Sequence, residues 1–170
     1  QDGRVSIEVD PRFARDTKAT IEQGLALWEI IDRPNLLIKV PATIEGLPAI
    51  TELISRGISV NVTLIFSVHR YRQVLEAYAA GLKRRIDNQE SISEIYSVAS
   101  FFISRIDSAV DALLPTDSNM RGKTAIANAV MAYESFLNFS LSNFFLIAYL
   151  IKNLDFFPSI SDINPGRKTI

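Results

Sequence analysis

Short runs of apolar residues alternate along the first two-thirds of the chain with longer segments that carry apolar residues at helical spacing. The runs are rich in β-branched residues and bounded by polar or turn-forming residues, which is typical of strands. The predicted strands occupy residues 5–9 (VSIEV), 36–40 (LLIKV), 58–66 (ISVNVTLIF) and 95–102 (IYSVASFF).

The segments between and after these runs predict helices, because their apolar residues recur every three or four positions. The predicted helices cover Thr17–Ile31 and residues 44–55, 68 to about 85, 103–114 and 121–134. Asp16 or Thr17 is a candidate N-cap for the first helix, and Ser67 for the third. Gly57 follows the second helix in the manner of a glycine C-cap.

Strands that alternate with crossover helices predict an α/β protein with a parallel sheet. An open doubly wound sheet and a closed (β/α) barrel both satisfy this pattern. No glycine-rich phosphate fingerprint follows any predicted strand, which weakens the dinucleotide-binding version. Polar residues stand at the carboxyl ends of the strands, where barrels place their chemistry. The sequence therefore favours a barrel.

The composition changes after Glu134. Residues 135–151 carry no charge, and six of the ten phenylalanines lie between Phe136 and Phe157. The run contains several serines and asparagines and is shorter than the roughly 20 apolar residues of a membrane span. We expect residues 135–170 to be a separate tail, read through or mis-joined to residues 1–134. A buried helix and a membrane anchor are the alternatives. The first residue is Gln1, not methionine, which indicates a chain cut from a longer protein.

The charge balance limits the classes of partner that the chain is expected to bind. With 18 Lys and Arg against 19 Asp and Glu, the net charge is -1, so the chain has no electrostatic footprint for nucleic acid or an anionic membrane. The absence of cysteine excludes disulfides and thiolate metal sites, and fits a reducing compartment such as the cytoplasm. A single histidine, His69, excludes most histidine metal sites.

Lys39 stands inside the apolar run LLIKVP. Burying an ammonium group is costly, so such a lysine tends to become a neutral amine. A neutral amine attacks carbonyl carbons and forms a Schiff base. The alternative is a lysine that extends from the strand end into water.

Two acidic residues, Glu8 and Asp10, lie two positions apart in VSIEVD, so the strand period predicts that they share a face. A carboxylate inside a barrel can shuttle protons through a water molecule. A structural ion pair with an arginine explains Glu8 equally well.

Further polar residues follow the later strands. Asn61 and Thr63 share a predicted face, which suits a hydroxyl-binding amide and a water-holding hydroxyl, or an internal polar network. Ser100 and Arg105 stand at the end of the fourth strand and the start of the next helix. An arginine beside the free N–H groups of a helix start is a candidate phosphate site, and a surface arginine is the alternative. His69 is expected to be solvated or to cap its helix.

Taken together, five segments closely resemble transaldolases of the bacterial and plant type. They are VSIEVDPRFARDT, NLLIKVPAT, GISVNVTLIFSVHRY, SVASFFISRID and RGKTAIANA. The resemblance covers roughly residues 3–134, in order and with natural spacing. It implies a (β/α)8 TIM barrel that moves a dihydroxyacetone unit between sugar phosphates without metal or organic cofactor.

The resemblance also implies roles for single residues. Lys39 is expected to be the Schiff-base lysine, Glu8 the carboxylate that works through a catalytic water, and Thr63 a residue that holds this water. Fructose-6-phosphate aldolases share the lysine but lack the glutamate, so Glu8 favours transaldolase.

Three further residues are expected to bind substrate: Asn61 at the donor hydroxyls, and Ser100 with Arg105 at the phosphate. Expected partners are sugar phosphates, with a homo-oligomer possible, and the expected location is the cytoplasm, or a plastid for a plant protein.

The chain also departs from the family pattern. Its strands resemble the third to sixth of the barrel, and nothing before Glu8 can supply the aspartate that acts as the acid–base on the first strand of the family. The last two strands and a second phosphate-binding arginine are not found either. We therefore expect about half a barrel with open sheet edges, marginally stable, prone to aggregation or paired with another half. A catalytically incompetent fragment is the alternative to an active enzyme.

Overall fold

The computed structural model describes the backbone of residues 3–153 and the side chains of residues 3–142. The strands are β1 Val5–Glu8, β2 Leu36–Pro41, β3 Val60–Ile65 and β4 Ser97–Phe101. The helices are α1 Thr17–Ile31, α2 Gly46–Ser55, α3 Val68–Asp87, α4 Ser104–Asp111 and α5 Thr124–Asn153. A short 3-10 turn, Pro11–Phe13, follows β1.

The helix boundaries follow from local capping. The Asp16 side chain accepts a hydrogen bond from the Ala19 backbone N–H at 3.0 Å, which places the start of α1 at Thr17 as predicted. Ser67 caps α3 in the same way. After α2 the chain turns at Gly57, whose φ of 85° lies in the left-handed region that glycine adopts without strain.

The four strands form one parallel sheet in the order β1-β2-β3-β4, which confirms the predicted α/β class. Chain order and sheet order coincide, as they do in a (β/α) barrel. Glu8 is paired in register with Lys39, and Lys39 with Asn61. Because residues paired across parallel strands point to the same face, these three side chains share one face of the sheet.

The opposite face of the sheet carries the hydrophobic core. This core is formed by residues of β2 and β3 and by the facing residues of α2, all of them fully buried. They are Ile38, Val40, Val60, Val62, Ile50, Leu53 and Ile54. Full burial of each such side chain stabilises the fold by about 1.5–3 kcal/mol. This packing fixes the strands, and so determines which side chains are left for the other face.

Gly81 of α3 packs directly against α2. A Cβ atom at this position would lie 2.6 Å from the Ile54 side chain and 2.8 Å from the Thr51 carbonyl oxygen. Contacts this short force one helix away from the other, because the backbone oxygen has no freedom to move aside.

We expect Gly81→Ala to destabilise the fold by about 1–3 kcal/mol, since overpacking strains the α2–α3 contact. The free energy of unfolding in urea measures the effect. Gly3→Ala is the matched control, because nothing lies within 4 Å of a Cβ at Gly3. Equal stability of the two variants would contradict the close approach.

The last described helix is longer than the sequence predicts. The predicted helix covers residues 121–134, whereas α5 begins at Thr124 and ends at Asn153. No glycine or proline occurs within α5 to end it. Two of its serines do not interrupt the helix. Ser135 and Ser142 donate their hydroxyl hydrogens to the carbonyls of Met131 and Asn138, four residues earlier in the same helix.

By compactness the chain divides into two units, Gln1–Phe136 and Leu137–Ile170. The first unit holds the whole sheet. Of the second, the structure describes the helical backbone up to Asn153 and the side chains up to residue 142. Within the described part of the chain, no helix combines the length and apolarity needed to cross a membrane. The boundary at Glu134 and the origin of the tail stay predictions.

Candidate active site

Lys39 and Glu8 meet at the carboxyl ends of two neighbouring strands. The Lys39 Nζ lies 3.2 Å from the Glu8 Oε2, and the pair is hydrogen-bonded. β1 and β2 are adjacent and parallel, and their register places Glu8 directly beside Lys39. The structure therefore brings an amine and a carboxylate within proton-transfer distance of each other.

The strand around Lys39 is buried as predicted, but the lysine side chain is not. Its neighbours in β2 are buried, whereas 30% of the Lys39 side chain and 44% of the Glu8 side chain are exposed. The reason is that the pair lies on the face of the sheet opposite the helices. Of the two alternatives for Lys39, the described chain shows the lysine that extends from the strand end into water, and a carboxylate partner compensates its charge.

Asp10 does not join this pair, which corrects the expectation that it shares a face with Glu8. β1 ends at Glu8, and the chain then turns, so the strand period no longer applies. The Asp10 carboxylate caps the Pro11–Phe13 turn and accepts a hydrogen bond from the Arg12 side chain at 2.9 Å. This bond lowers the pKa of Asp10 from 3.8 to about 2. The structural ion pair considered for Glu8 is found at Asp10.

Because the pKa of Asp10 is lowered in the folded chain, we expect the Asp10 carboxylate to affect how the free energy of unfolding depends on pH in acid. A carboxylate with a lowered folded-state pKa stabilises the fold above its ordinary pKa of 3.8, and this contribution is lost as the pH falls through about 2. We expect the urea midpoint of Asp10→Asn to depend less on pH between 4 and 2 than that of the unchanged chain. Identical pH profiles would show that the pair with Arg12 does not form in solution.

Asn61 lies at the centre of a hydrogen-bonded network that links three strands. Its Nδ2 donates to the Ser6 Oγ at 3.1 Å, and the Ser100 Oγ donates to the Asn61 Oδ1 at 2.8 Å. Ser6 belongs to β1, so the bond to Asn61 spans the intervening strand β2. The sheet is therefore curved, with these side chains on its concave face, and both ends of the Asn61 amide are fixed.

Ser6 was missed by the sequence analysis. The available signal was its position two residues before Glu8, which places both side chains on the same face of β1. Ser100, expected at a phosphate, uses its hydroxyl hydrogen to bind Asn61. The structure thus groups Ser100 with the amide and not with an anion-binding arginine.

Thr63 and Arg105 lie outside these two clusters. Thr63 is 3% exposed, and among the described residues the structure gives its hydroxyl no hydrogen-bond partner. Arg105 is the second residue of α4, and its guanidinium carbon lies 4.6 Å from the centre of the Phe102 ring. Phe102 in turn stacks on Phe66 with ring centres 5.1 Å apart. A cation–π contact does not use the N–H donors of the guanidinium, and between residues 3 and 142 the structure shows no acceptor for them, so they can bind an anion.

The remaining candidates have structural explanations. His69 is exposed in the first turn of α3, as expected of a solvated residue. No group of three potential metal ligands occurs among the described residues.

An apolar cavity of about 350 Å³ lies on the convex side of β4, away from Lys39. Its lining is Tyr71, Ala99, Phe101, Ile103, Ala129, Ala132, Tyr133 and Phe136.

Comparison with known proteins adds independent evidence. A transaldolase of Saccharopolyspora erythraea is 55% identical over 138 residues, and transaldolases of Thermobifida fusca and Mycolicibacterium smegmatis are 56% identical over 140 residues. Each match covers 79% of this chain but 38% of the relative, so the chain spans less than two-fifths of the length of these relatives.

The family comparison agrees. The model of the transaldolase/fructose-6-phosphate aldolase family matches residues 1–155. This match confirms the resemblance drawn from the sequence motifs, and the parallel four-stranded sheet is that of a partial (β/α) barrel. The chain belongs to the transaldolase/fructose-6-phosphate aldolase family.

Proposed function

We propose that this chain carries the Schiff-base centre of a transaldolase. The enzyme transfers a dihydroxyacetone unit from a ketose phosphate to an aldose phosphate, converting sedoheptulose 7-phosphate and glyceraldehyde 3-phosphate to erythrose 4-phosphate and fructose 6-phosphate. The observation that carries the proposal is the 3.2 Å contact between the Lys39 amine and the Glu8 carboxylate at the carboxyl ends of adjacent strands.

The chemistry needs an amine and a proton carrier side by side. In its neutral form the Lys39 amine attacks the C2 carbonyl of the ketose and forms a carbinolamine, which loses water to give an imine. As the C3–C4 bond breaks, a base takes the proton of the C4 hydroxyl and the electron pair of the bond passes to the protonated imine, so the aldose leaves and an enamine stays on the lysine. The family resemblance assigns that base to the first-strand aspartate, which lies outside this chain. Reaction of the enamine with a second aldose and hydrolysis complete the transfer.

Glu8 is suited to move the protons of these steps. Carbinolamine dehydration requires a proton on the departing hydroxyl, and imine hydrolysis requires removal of a proton from water. A carboxylate at hydrogen-bond distance from the amine serves both steps, directly or through one water molecule. We place that water beside the hydroxyl of Thr63, a residue that is 3% exposed and follows Asn61 on the same face of β3.

The substrate-binding roles follow from which donors are free. The Asn61 amide is oriented by Ser6 and Ser100, so we assign it to the donor hydroxyls, with Ser100 supporting it. The Arg105 N–H groups bind no acceptor in the part of the chain whose side chains are described, which supports the assignment of Arg105 to the substrate phosphate. This assignment differs from the expectation drawn from the family resemblance, because Ser100 now supports the Asn61 amide and does not contact the substrate phosphate.

A fructose-6-phosphate aldolase activity is the second candidate, because the matching family includes both enzymes. The two differ in the fate of the three-carbon unit, which an aldolase releases as free dihydroxyacetone without an acceptor. The presence of Glu8 beside Lys39 favours the transferase. A non-catalytic fragment is the third possibility, since the chain covers 38% of its relatives.

Borohydride trapping tests the proposal. The chain is incubated with fructose 6-phosphate, reduced with borohydride and digested, and the peptides are analysed by mass. We expect a stable adduct of the three-carbon unit or the whole ketose on Lys39. A folded sample without adduct would favour the non-catalytic fragment. Free dihydroxyacetone that accumulates without erythrose 4-phosphate would instead indicate the aldolase.

We further propose a cytoplasmic enzyme whose partners are sugar phosphates, not nucleic acid or membranes. We also propose residues 1–134 as the barrel portion and residues 135–170 as a distinct tail. The near-neutral charge and the lack of cysteine support the first of these statements. The change to an uncharged composition after Glu134 supports the second.

A further inference from the structure

β3 is irregular directly after the site residue Thr63. Val62 is paired with Ala99, but the next pair joins Ile65 to Phe101, so the register shifts between them. Two residues of β3, Thr63 and Leu64, therefore face a single residue of β4, Ser100. This arrangement is a β-bulge, which bends a strand and redirects its side chains.

Leu64 makes this bulge in an unusual conformation. Its φ is 59°, in the left-handed region that a branched side chain other than Asn or Asp rarely adopts. Glycine would occupy the same conformation without strain. The sequence thus places a leucine where the backbone disfavours it, and strained conformations of this kind cluster at functional sites.

The bulge changes the faces of two residues. Ile65 is fully buried and paired with Phe101, so it lies on the core side of the sheet together with Val62. Leu64 lies between them and leaves the core, with 39% of its surface exposed. In a regular strand Leu64 would share the face of Val62, and Ile65 would not. The bulge therefore moves Leu64 to the concave face.

On that face Leu64 lies at the carboxyl end of β3, next to Thr63 and opposite Ser100. The Ser100 hydroxyl reaches Asn61 from the same face, so the position is within the candidate active site. Its other side chains named so far are polar: Glu8, Lys39, Asn61 and Ser100. A carbon skeleton held by these polar groups also needs an apolar surface against which to pack.

We propose that Leu64 is a substrate-contacting residue whose side chain packs against the bound ketose and keeps water from the lysine imine. This inference rests on the proposed Schiff-base function. It adds an apolar contact to a site that sequence motifs describe only by its polar residues, and it explains why a leucine occupies a conformation suited to glycine.

Two substitutions test it. Leu64→Gly removes the side chain and suits the left-handed backbone, so we expect a urea midpoint equal to or above that of the unchanged chain. We expect its borohydride-trapped yield with fructose 6-phosphate to fall about tenfold, as for the loss of a small apolar contact. Leu64→Met keeps an apolar side chain of similar volume and should retain at least about half of the yield. Leu113→Gly, at an 86% exposed position after α4, is the control and should leave the yield unchanged.

The outcomes separate the two proposals. Equal yields for Leu64→Gly and the unchanged chain would overturn the role of Leu64 and leave the Schiff-base function intact. A lower urea midpoint of Leu64→Gly together with a lower yield, or equal losses in the glycine and methionine variants, would also overturn it, because a structural role explains both. Absence of any adduct in the unchanged chain would refute the Schiff-base function, and with it the role of Leu64.

Discussion

Lys39→Met is expected to abolish the borohydride adduct entirely. Methionine has a similar length and apolar character but no amine, so no imine forms at this position. The fold should be retained, because the neighbouring residues of β2 are buried and apolar and the lysine side chain is partly exposed. The measurement is the mass of the peptide containing residue 39 after trapping with fructose 6-phosphate.

Lys83→Met is the matched control for this experiment. Lys83 lies on α3 and pairs with Asp87 four residues later, away from the concave face. Its substitution should leave the adduct on Lys39 unchanged. An adduct that persists in Lys39→Met, at another lysine, would show that the reactive amine has been misassigned, whereas its loss in both variants would indicate a general effect on the fold.

The second large effect is expected for Glu8→Gln. The amide keeps the shape of the side chain but neither accepts nor delivers a proton, so dehydration of the carbinolamine slows by about 10²–10⁴-fold. The final adduct should still form on Lys39 at long incubation. Quenching with borohydride at successive times measures the rate of imine formation separately from its final yield.

Stability is not expected to confuse this result. The Glu8–Lys39 pair is partly exposed, and exposed pairs contribute about 0–1 kcal/mol. Glu29→Gln, at an exposed position of α1, provides a control with the same chemical change. If Glu8→Gln formed the adduct as fast as Glu29→Gln, the Glu8 carboxylate would have no part in proton transfer.

The sequence predicted the elements well because their signals are local. The Asp16 and Ser67 caps and the Gly57 turn lie where the pattern placed them, since each depends on a few neighbouring residues. The contact between Glu8 and Lys39 was also within reach, because the carboxyl ends of adjacent parallel strands meet at one edge of a sheet.

Features that depend on the path of the strands were not predictable in this way. The bond from Ser6 to Asn61 requires a curvature that no local pattern encodes. The face of Asp10 was wrongly predicted because β1 ends at Glu8, one residue before its predicted end, and the chain then turns. The left-handed conformation of Leu64 has no sequence signal, since leucine is among the residues least expected there.

The length of α5 was also predicted wrongly, because the prediction relied on composition. The change of composition after Glu134 suggested a change of structure, but helix formation depends on backbone hydrogen bonds and on the absence of glycine and proline. An uncharged run therefore continues a helix as readily as a charged one. The change of composition after Glu134 therefore did not mark a change of secondary structure.

The contact between Glu8 and Lys39 has a consequence for how the protein is assembled. The two residues are 31 positions apart and belong to one β–α–β unit, β1–α1–β2. Contacts of short sequence separation close with little loss of chain entropy and form early in folding. The meeting of the amine and its carboxylate therefore depends on one step in the assembly of the sheet, the docking of β2 on β1 across the α1 crossover.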